Sequence, residues 1–145
     1  MKNTKDRQVR ILLVEDNDDH AELVTRCLQE SGEELQLFRV SDGEEAIDWL
    51  DARAQAELPE LVLLDLRLPK VDGIEVLAHI KENPRLCALP VVILTTSDAE
   101  IDVAKAYGSH ANSYVVKPFD YARLREVVQT LGIYWLDVNR KPGLA

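Results

Sequence analysis

Short apolar runs alternate with longer amphipathic stretches along most of this chain. Residues 9–14, 61–64 and 91–94 are almost wholly apolar, which predicts strands covered on both faces, and the weaker runs 35–40 and 113–116 predict two more. Between the strands, apolar residues recur at helical spacing, as in Ala21, Val24, Cys27 and Leu28. Strand and helix thus alternate five times, which predicts an α/β fold with a mostly parallel sheet.

Polar residues next to these stretches predict where the helices begin. Asn17 or Asp18 is suited to cap the first helix, since a short polar side chain can accept hydrogen bonds from free N–H groups. By the same argument Asp98 should cap the fourth helix, with Ile101 and Ala104 facing inward.

Polar or charged residues also follow four of the five strands directly. In a parallel sheet with right-handed crossovers, the carboxyl ends of all strands meet at one edge, where ligands bind. The residues predicted at that edge are Glu15, Asp16, Asp65, Thr95 and Lys117. An ionised aspartate is costly inside a core, so Asp65 should lie at the very end of its strand. The alternative is that Asp65 only forms a turn before Pro69.

These side chains together resemble the parts of a phosphoryl-transfer site. Three converging carboxylates repel one another unless a cation lies among them, and hard oxygen ligands suit Mg²⁺. Asp65 could then act as both metal ligand and nucleophile, forming an acyl phosphate. Lys117 and Thr95 are donors that would receive charge from the transferred group. Taken singly, a lysine before proline is commonly a turn and a threonine after a strand is commonly a helix cap.

The motifs resemble those of response regulator receiver domains in two-component systems. They are Val14-Glu15-Asp16-Asn17, Leu64-Asp65-Leu66-Arg67-Leu68-Pro69 with Asp72-Gly73, Leu94-Thr95-Thr96-Ser97 and Lys117-Pro118. The likeness covers residues 9 to 131. It implies a flavodoxin-like, doubly wound fold, in which a five-stranded parallel sheet of order 2-1-3-4-5 is flanked by five helices.

The resemblance also implies a role for each matched residue around the metal. Asp65 would be the phosphoacceptor, and Asp16 and Asp65 would bind Mg²⁺ directly. Glu15 would act on the metal through water, and the backbone carbonyl of Arg67 would be a further ligand. Glu15 stands where many relatives have aspartate, and its longer side chain still reaches a metal-bound water. The bulky Arg67 could shield the acyl phosphate, contact a kinase or simply be solvated.

Further residues match the phosphoryl-binding and switching positions of the family. Thr95 and Lys117 would bind the phosphoryl oxygens, and the Lys117–Pro118 peptide bond is expected to be cis. Tyr114 falls at the position of the aromatic switch residue, which moves inward as the threonine closes on the phosphoryl group.

Three further stretches are informative: Leu94-Thr95-Thr96-Ser97, His110-Ala111-Asn112-Ser113-Tyr114 and a last helix that runs into Tyr134-Trp135-Leu136. Together they resemble the single-domain regulators of bacterial and cyanobacterial phytochromes. This likeness implies a light-regulated histidine kinase as partner. It also implies a homodimer formed through the last helix, strand five and the C-terminal extension.

The domain organisation follows from the same patterns. Residues 1–8 are polar and expected to be flexible, 9–132 form the receiver domain, and 133–145 form an extension that continues the last helix. The extension carries an apolar cluster, which predicts an interface at Tyr134, Trp135 and Leu136. The alternative is that the extension packs over its own domain.

Composition limits the other functions that the chain could have. A net charge of −9 disfavours nucleic-acid binding, and no apolar run approaches the roughly 18 residues that span a membrane. Two cysteines without a paired framework indicate reduced thiols in a cytoplasmic protein. No output domain is evident after Leu131, so we expect signalling by protein contact, or a role as phosphate relay or sink.

The leading hypothesis is thus a phosphorylation-dependent switch that catalyses only its own phosphorylation and dephosphorylation. One alternative is a receiver fold that no longer switches and serves as an interaction module. The other is a Mg²⁺-dependent hydrolase with an aspartyl-phosphate intermediate. Such hydrolases usually carry a second acid two residues after the nucleophile, where this chain has Arg67.

Overall fold

A computed structural model describes residues 9–30 and 34–141 of the chain. The predicted N-terminal segment 1–8 and the last residues of the extension, 142–145, lie outside this description. Five strands and five α-helices alternate in the order β1 Val9–Val14, α1 Asp18–Gln29, β2 Leu35–Val40, α2 Gly43–Ala52, β3 Leu61–Leu64, α3 Gly73–Glu82, β4 Val91–Thr95, α4 Glu100–Gly108, β5 Ser113–Val116 and α5 Tyr121–Gly132. A 3₁₀ turn, Gln55–Glu57, precedes β3, and a π-helix, Ile133–Val138, follows α5.

The strands form one parallel sheet in the order β2-β1-β3-β4-β5. Successive side chains of a strand point to opposite faces, so Leu12 and Leu64 pack under α2 and α3, while Ile11 and Leu63 pack under α1 and α5. Both faces of the central strands are therefore covered, which explains why their sequences are uniformly apolar. The predicted fold class and strand order are confirmed.

In four of the five helices a polar side chain caps the first turn, as predicted for α1. Asn17, not Asp18, caps α1: its side chain accepts a hydrogen bond from the backbone N–H of His20 at 3.0 Å. Asp42, Asp72 and Asp120 cap α2, α3 and α5 in the same way. These side chains satisfy N–H groups that the first helical turn leaves without partners.

The prediction for α4 was wrong. This helix begins at Glu100 after Ala99, and no side chain caps it, so Asp98 does not serve as the cap. Ala106 is the buried residue of the helix, whereas Ile101 is 63% exposed and Ala104 is also exposed. With 3.6 residues per turn, Ile101 lies about 140° around the axis from Ala106, so the two cannot share an inner face.

The C-terminal extension packs against its own domain. Trp135 is only 9% exposed and joins the core layer between the sheet and helices α1 and α5, with Leu136 packed beside it. Lys141 forms an ion pair with Glu60, just before β3. The intramolecular alternative therefore describes Trp135 and Leu136, which were predicted as interface residues. Tyr134 remains 47% exposed.

In the part of the chain that the structure describes, no helix is both long and apolar enough to span a lipid bilayer.

Candidate functional site

The register of the sheet brings the predicted site residues to one edge. Val14 of β1 is aligned with Leu64 of β3, so the next residues, Glu15 and Asp65, lie side by side. Farther along the same edge, where β4 and β5 end, the backbone N–H of Lys117 donates a hydrogen bond to the Thr95 carbonyl at 2.6 Å. The structure thus brings together residues that come from four separate strand ends.

Three carboxylates form an acidic cluster at this edge. Glu15 and Asp65 are buried, whereas Asp16 is exposed, and one oxygen of each lies within 4.8 Å of the others. The backbone N–H of Arg67 donates to Asp65 Oδ1 at 3.2 Å, which holds the loop after β3 against the carboxylate. Oxygen donors at this spacing fit a hard divalent cation such as Mg²⁺.

Lys117 is the cation that the protein itself places in this cluster. Its side chain is buried, and Nζ donates to the Glu15 carboxylate and to Asp65 Oδ2, the latter at 3.1 Å. His20 Nδ1 lies 3.1 Å from the same nitrogen. An ammonium group carries three N–H donors, and these contacts occupy all three. Asp65 therefore lies largely buried at the edge of the sheet, bonded to a buried positive charge.

Burial controls the protonation of Glu15. Loss of hydration raises the pKa of this carboxyl from 4.5 to about 7, even though the Lys117 ammonium acts to lower it. A hydrogen bond from the backbone N–H of Asn17 to Glu15 Oε2, 3.1 Å long, also favours the charged form. A divalent cation in the cluster would compete with this proton.

A second set of contacts links Thr95 to Tyr114. Thr95 is fully buried, and its hydroxyl oxygen accepts a long hydrogen bond, 3.5 Å, from the backbone N–H of Ser97. The Tyr114 hydroxyl donates to the Ser97 carbonyl at 2.9 Å, and burial raises the pKa of this phenol. The residue that would bind a phosphoryl oxygen is thus two hydrogen bonds away from a half-buried aromatic ring.

Ser97 also connects this set to the loop after β3. Its hydroxyl donates to Asp102 Oδ2 at 2.5 Å, and the guanidinium of Arg67 lies 3.5 Å from the same oxygen. The Arg67 side chain is 73% exposed. Arg67 thus lies at the rim of the site, paired with Asp102 of α4 and open to solvent or to a partner.

The expected cis bond before Pro118 is not present. The structure has no cis peptide bond among its described residues, so the Lys117–Pro118 bond is trans. Trans is the intrinsically favoured isomer for X–Pro, and Lys117 reaches Glu15 and Asp65 with the bond in this form.

Gly73 allows α3 to approach the phosphoacceptor loop. A Cβ at this position would lie 2.4 Å from the Asp65 carbonyl oxygen and 2.5 Å from Leu66 Cα. The backbone N–H of Gly73 instead donates to the Leu66 carbonyl at 2.9 Å. This close contact explains the glycine of the Asp72-Gly73 motif.

Sequence reasoning missed two residues that contact the site. His20 Nδ1 lies against Lys117 Nζ, and the Nε–H of Arg39 donates to the Glu15 backbone carbonyl at 2.9 Å. The available signal for His20 was its position in the first turn of α1, four residues after Asp16. Nothing in the local pattern around Arg39 indicated its contact.

A parallel sheet whose central carboxyl edge holds buried Asp65 among acids, beside a buried lysine, is the arrangement of a response regulator receiver. The chain belongs to this family: the model of the response regulator receiver domain matches residues 11–129. Members of the family are regulators of two-component signalling and not enzymes in the usual sense.

Two relatives show which members of the family the chain resembles. The chain is 47% identical over 137 residues to a probable methanogenesis regulatory protein, FilR2, of Methanothrix harundinacea, with 93% of this chain and 88% of the relative covered. It is 42% identical over 136 residues to the response regulator Rcp1 of Synechocystis, with 92% of each chain covered.

The crystal structure of the phosphorylated cyanobacterial phytochrome response regulator RcpA superposes with a TM-score of 0.90 at 38% identity, covering 94% of this chain and 100% of that one. A structure of Rcp1 in its Mn²⁺-bound form gives a TM-score of 0.86 at 41% identity, covering 93% and 99%. The chain is therefore homologous to phytochrome response regulators, and its acidic cluster is consistent with a phosphoacceptor site.

Proposed function

We propose that this protein is a phosphorylation-dependent switch that accepts a phosphoryl group on Asp65 from a partner histidine kinase. The observation that supports the proposal most is the contact of Asp65 with Lys117 inside the acidic cluster. Asp65 is the one carboxylate of the cluster that both contacts the buried ammonium and leads into the loop held by Gly73.

In the reaction, a carboxylate oxygen of Asp65 attacks the phosphorus atom of a phosphohistidine. A new P–O bond forms while the N–P bond breaks, and the imidazole leaves with the bonding electron pair and takes up a proton. Lys117 and the Thr95 hydroxyl donate to the phosphoryl oxygens as their charge is redistributed. The same groups stabilise the aspartyl phosphate until water hydrolyses it.

Asp16, Asp65, the Arg67 backbone carbonyl and, through water, Glu15 would hold Mg²⁺. When bound, the cation offsets the negative charge that the acids and the phosphoryl group share. This assignment is supported by the spacing of the three carboxylates and by the relative described in an Mn²⁺-bound form.

The switch itself would run from Thr95 to Tyr114. A turn of Thr95 toward the phosphoryl group would break its long hydrogen bond, 3.5 Å, with the N–H of Ser97. A resulting shift of Ser97 would remove the carbonyl acceptor of the Tyr114 hydroxyl and free the ring to move inward. The change would be passed on through protein contacts of α4, β5 and α5.

The central test is uptake of phosphoryl label. Wild-type protein incubated with Mg²⁺ and a labelled small phosphodonor should incorporate label that hydroxylamine or alkali removes, as expected of an acyl phosphate, and Asp65→Asn should incorporate none. Asp48→Asn is the matched control, because it makes the same change at an exposed carboxylate on α2 and should behave as wild type. Label on Asp65→Asn equal to that on wild type would refute the assignment of the phosphoacceptor.

For the partner we propose a phytochrome histidine kinase, on the likeness to Rcp1 and RcpA. The relative FilR2 is a probable methanogenesis regulatory protein, so the competing candidate is a kinase without a light sensor. Phosphotransfer should be compared from a phytochrome kinase, in darkness and under illumination, and from a kinase with an unrelated sensor. Faster transfer from the unrelated kinase would overturn the phytochrome assignment.

We also propose self-association through α5, β5 and the C-terminal extension. Support comes from the exposed apolar side chains on these elements, which are Val116, Tyr121, Ile133, Tyr134 and Val138. Light scattering after size exclusion, with Mg²⁺ and with or without a phosphodonor, tests this. A monomer in all conditions would refute it, and the Asp65→Asn variant shows whether any dimer depends on phosphorylation.

The same assays separate the two alternatives. Multiple turnover of a small phosphomonoester would support the hydrolase. Unchanged oligomeric state and kinase affinity upon phosphorylation would support a non-switching interaction module.

A further inference from the structure

His20 lies where helix α1 meets the site. Its backbone N–H is bonded to the Asn17 cap at 3.0 Å, which fixes the residue in the first turn of the helix. From there the half-buried ring places Nδ1 3.1 Å from Lys117 Nζ. The two residues are 97 positions apart in the sequence, so only the fold brings them together.

The chemistry of the contact sets the state of the ring. An ammonium group can only donate, so Nδ1 must carry a lone pair and the ring proton must be on Nε2. Burial, together with the nearby Lys117 charge, lowers the pKa of His20 below 6.5, which favours this neutral form. His20 therefore accepts a hydrogen bond from Lys117 without adding charge to the site.

The neutral acceptor differs in kind from the other two partners of Lys117. Glu15 and Asp65 are acids whose charge changes when a proton, a cation or a phosphoryl group arrives, whereas the imidazole offers the same lone pair throughout. A donor held by His20 fixes the rotation of the ammonium group about its bond to the side chain. The two remaining N–H groups are then directed at Glu15 and Asp65.

We propose that His20 is a positioning residue for phosphoryl transfer, which aims Lys117 at the phosphoryl group by accepting a hydrogen bond at Nδ1. This inference rests on the proposed function of Asp65. It gives His20 a role in setting the rate of phosphorylation, beyond the simpler reading of a polar residue that fills the rim of the crevice.

Three substitutions separate position from polarity. In His20→Asn the amide oxygen occupies the place of Nδ1, since both atoms are bonded to Cγ. In His20→Gln the acceptor lies one bond farther out, and His20→Leu removes it. With a labelled small phosphodonor, we expect the Gln and Leu variants to be phosphorylated about tenfold more slowly, as expected for a lost hydrogen bond to a charged group. The Asn variant should remain within about twofold of wild type, on the same principle.

A purely structural role would give a different result. The Mg²⁺ dissociation constant and the free energy of unfolding are measured for all three variants and should stay near the wild-type values. Equal rates for the three variants and wild type would overturn the proposal. Slow phosphorylation of His20→Asn, as slow as that of His20→Leu, would overturn it as well.

A double-mutant cycle tests whether His20 acts through Lys117. In a Lys117→Met background, His20→Leu should have no further effect on the rate, whereas an undiminished effect would contradict the proposal. The Asp65→Asn variant distinguishes the two levels of inference. If wild type is labelled and Asp65→Asn is not, a failed His20 series overturns only the role of His20; if Asp65→Asn is labelled, the proposed function fails first.

Discussion

Replacement of Trp135 by alanine tests whether the C-terminal extension is part of the domain core. The indole is 9% exposed and packs in the layer between the sheet, α1 and α5, while its neighbour Tyr134 is 47% exposed. An aromatic side chain of this size buries about 200 Å², which corresponds to roughly 5 kcal/mol at 25 cal/mol per Å². Alanine keeps a small part of that, so we expect Trp135→Ala to lower the free energy of unfolding by about 3–5 kcal/mol.

The assay is urea denaturation followed by circular dichroism, at two protein concentrations tenfold apart. Packing within one chain predicts the same loss at both concentrations, because the contacts of Trp135 then do not depend on association. Tyr134→Ala is the matched control: it removes a neighbouring aromatic ring that is half exposed, and it should cost about 1 kcal/mol. These two values differ by more than the error of a linear extrapolation.

Two results would refute the reasoning. A loss below about 1 kcal/mol for Trp135→Ala would show that the extension does not contribute to the core. A loss seen only at the higher concentration would show that Trp135 is buried between chains and not within one.

Three further predictions concern the site and its support. Gly73→Ala should slow phosphorylation by a small donor at least tenfold, because the added methyl group would displace the Asp65 backbone; an unchanged rate would show that α3 can move without cost. Lys81→Met should lower the free energy of unfolding by about 1–3 kcal/mol. The Lys81 ammonium donates to Asn112 Oδ1 at 2.9 Å and to two loop carbonyls, and the variant loses these bonds. Denaturation near the wild-type midpoint would contradict this. The apparent Mg²⁺ affinity should rise with pH up to about 7 and then level off. Glu15 has a pKa raised to about 7, so below that pH its carboxyl holds a proton that competes with the cation. A Glu15→Gln variant should lose most of this pH dependence.

Predictions from the sequence were correct where a pattern and the structure it predicts lie within a few residues of each other. Uniform apolar runs predicted the strands, and polar residues directly after them predicted which side chains would meet at the edge of the sheet. These inferences needed only the alternation of strand and helix and the handedness of crossovers. The same applies to Asn17, whose capping bond is made to an N–H group three residues away.

The predictions were wrong or undecided where the same local sequence is compatible with more than one structure. Asp98 has the right side chain for a cap, but Ser97 satisfies the N–H of Ala99 and the helix begins later, at Glu100. Ile101, predicted to face inward, is exposed on this helix. Likewise, the apolar residues of the extension predicted burial, but the sequence did not determine whether a second chain or the core of the same chain covers them.

What the sequence by itself determined is therefore the order of elements, the parallel sheet and the set of residues at its carboxyl edge, because each follows from periodicity over a few residues. Only the tertiary structure decided which of these residues touch. Lys117 contacts Glu15 and His20 across about a hundred residues of chain, and Trp135 enters the core beside α1. Such contacts depend on how whole helices pack against the sheet, and that packing is set by the sum of many side-chain volumes, which no single stretch of sequence records.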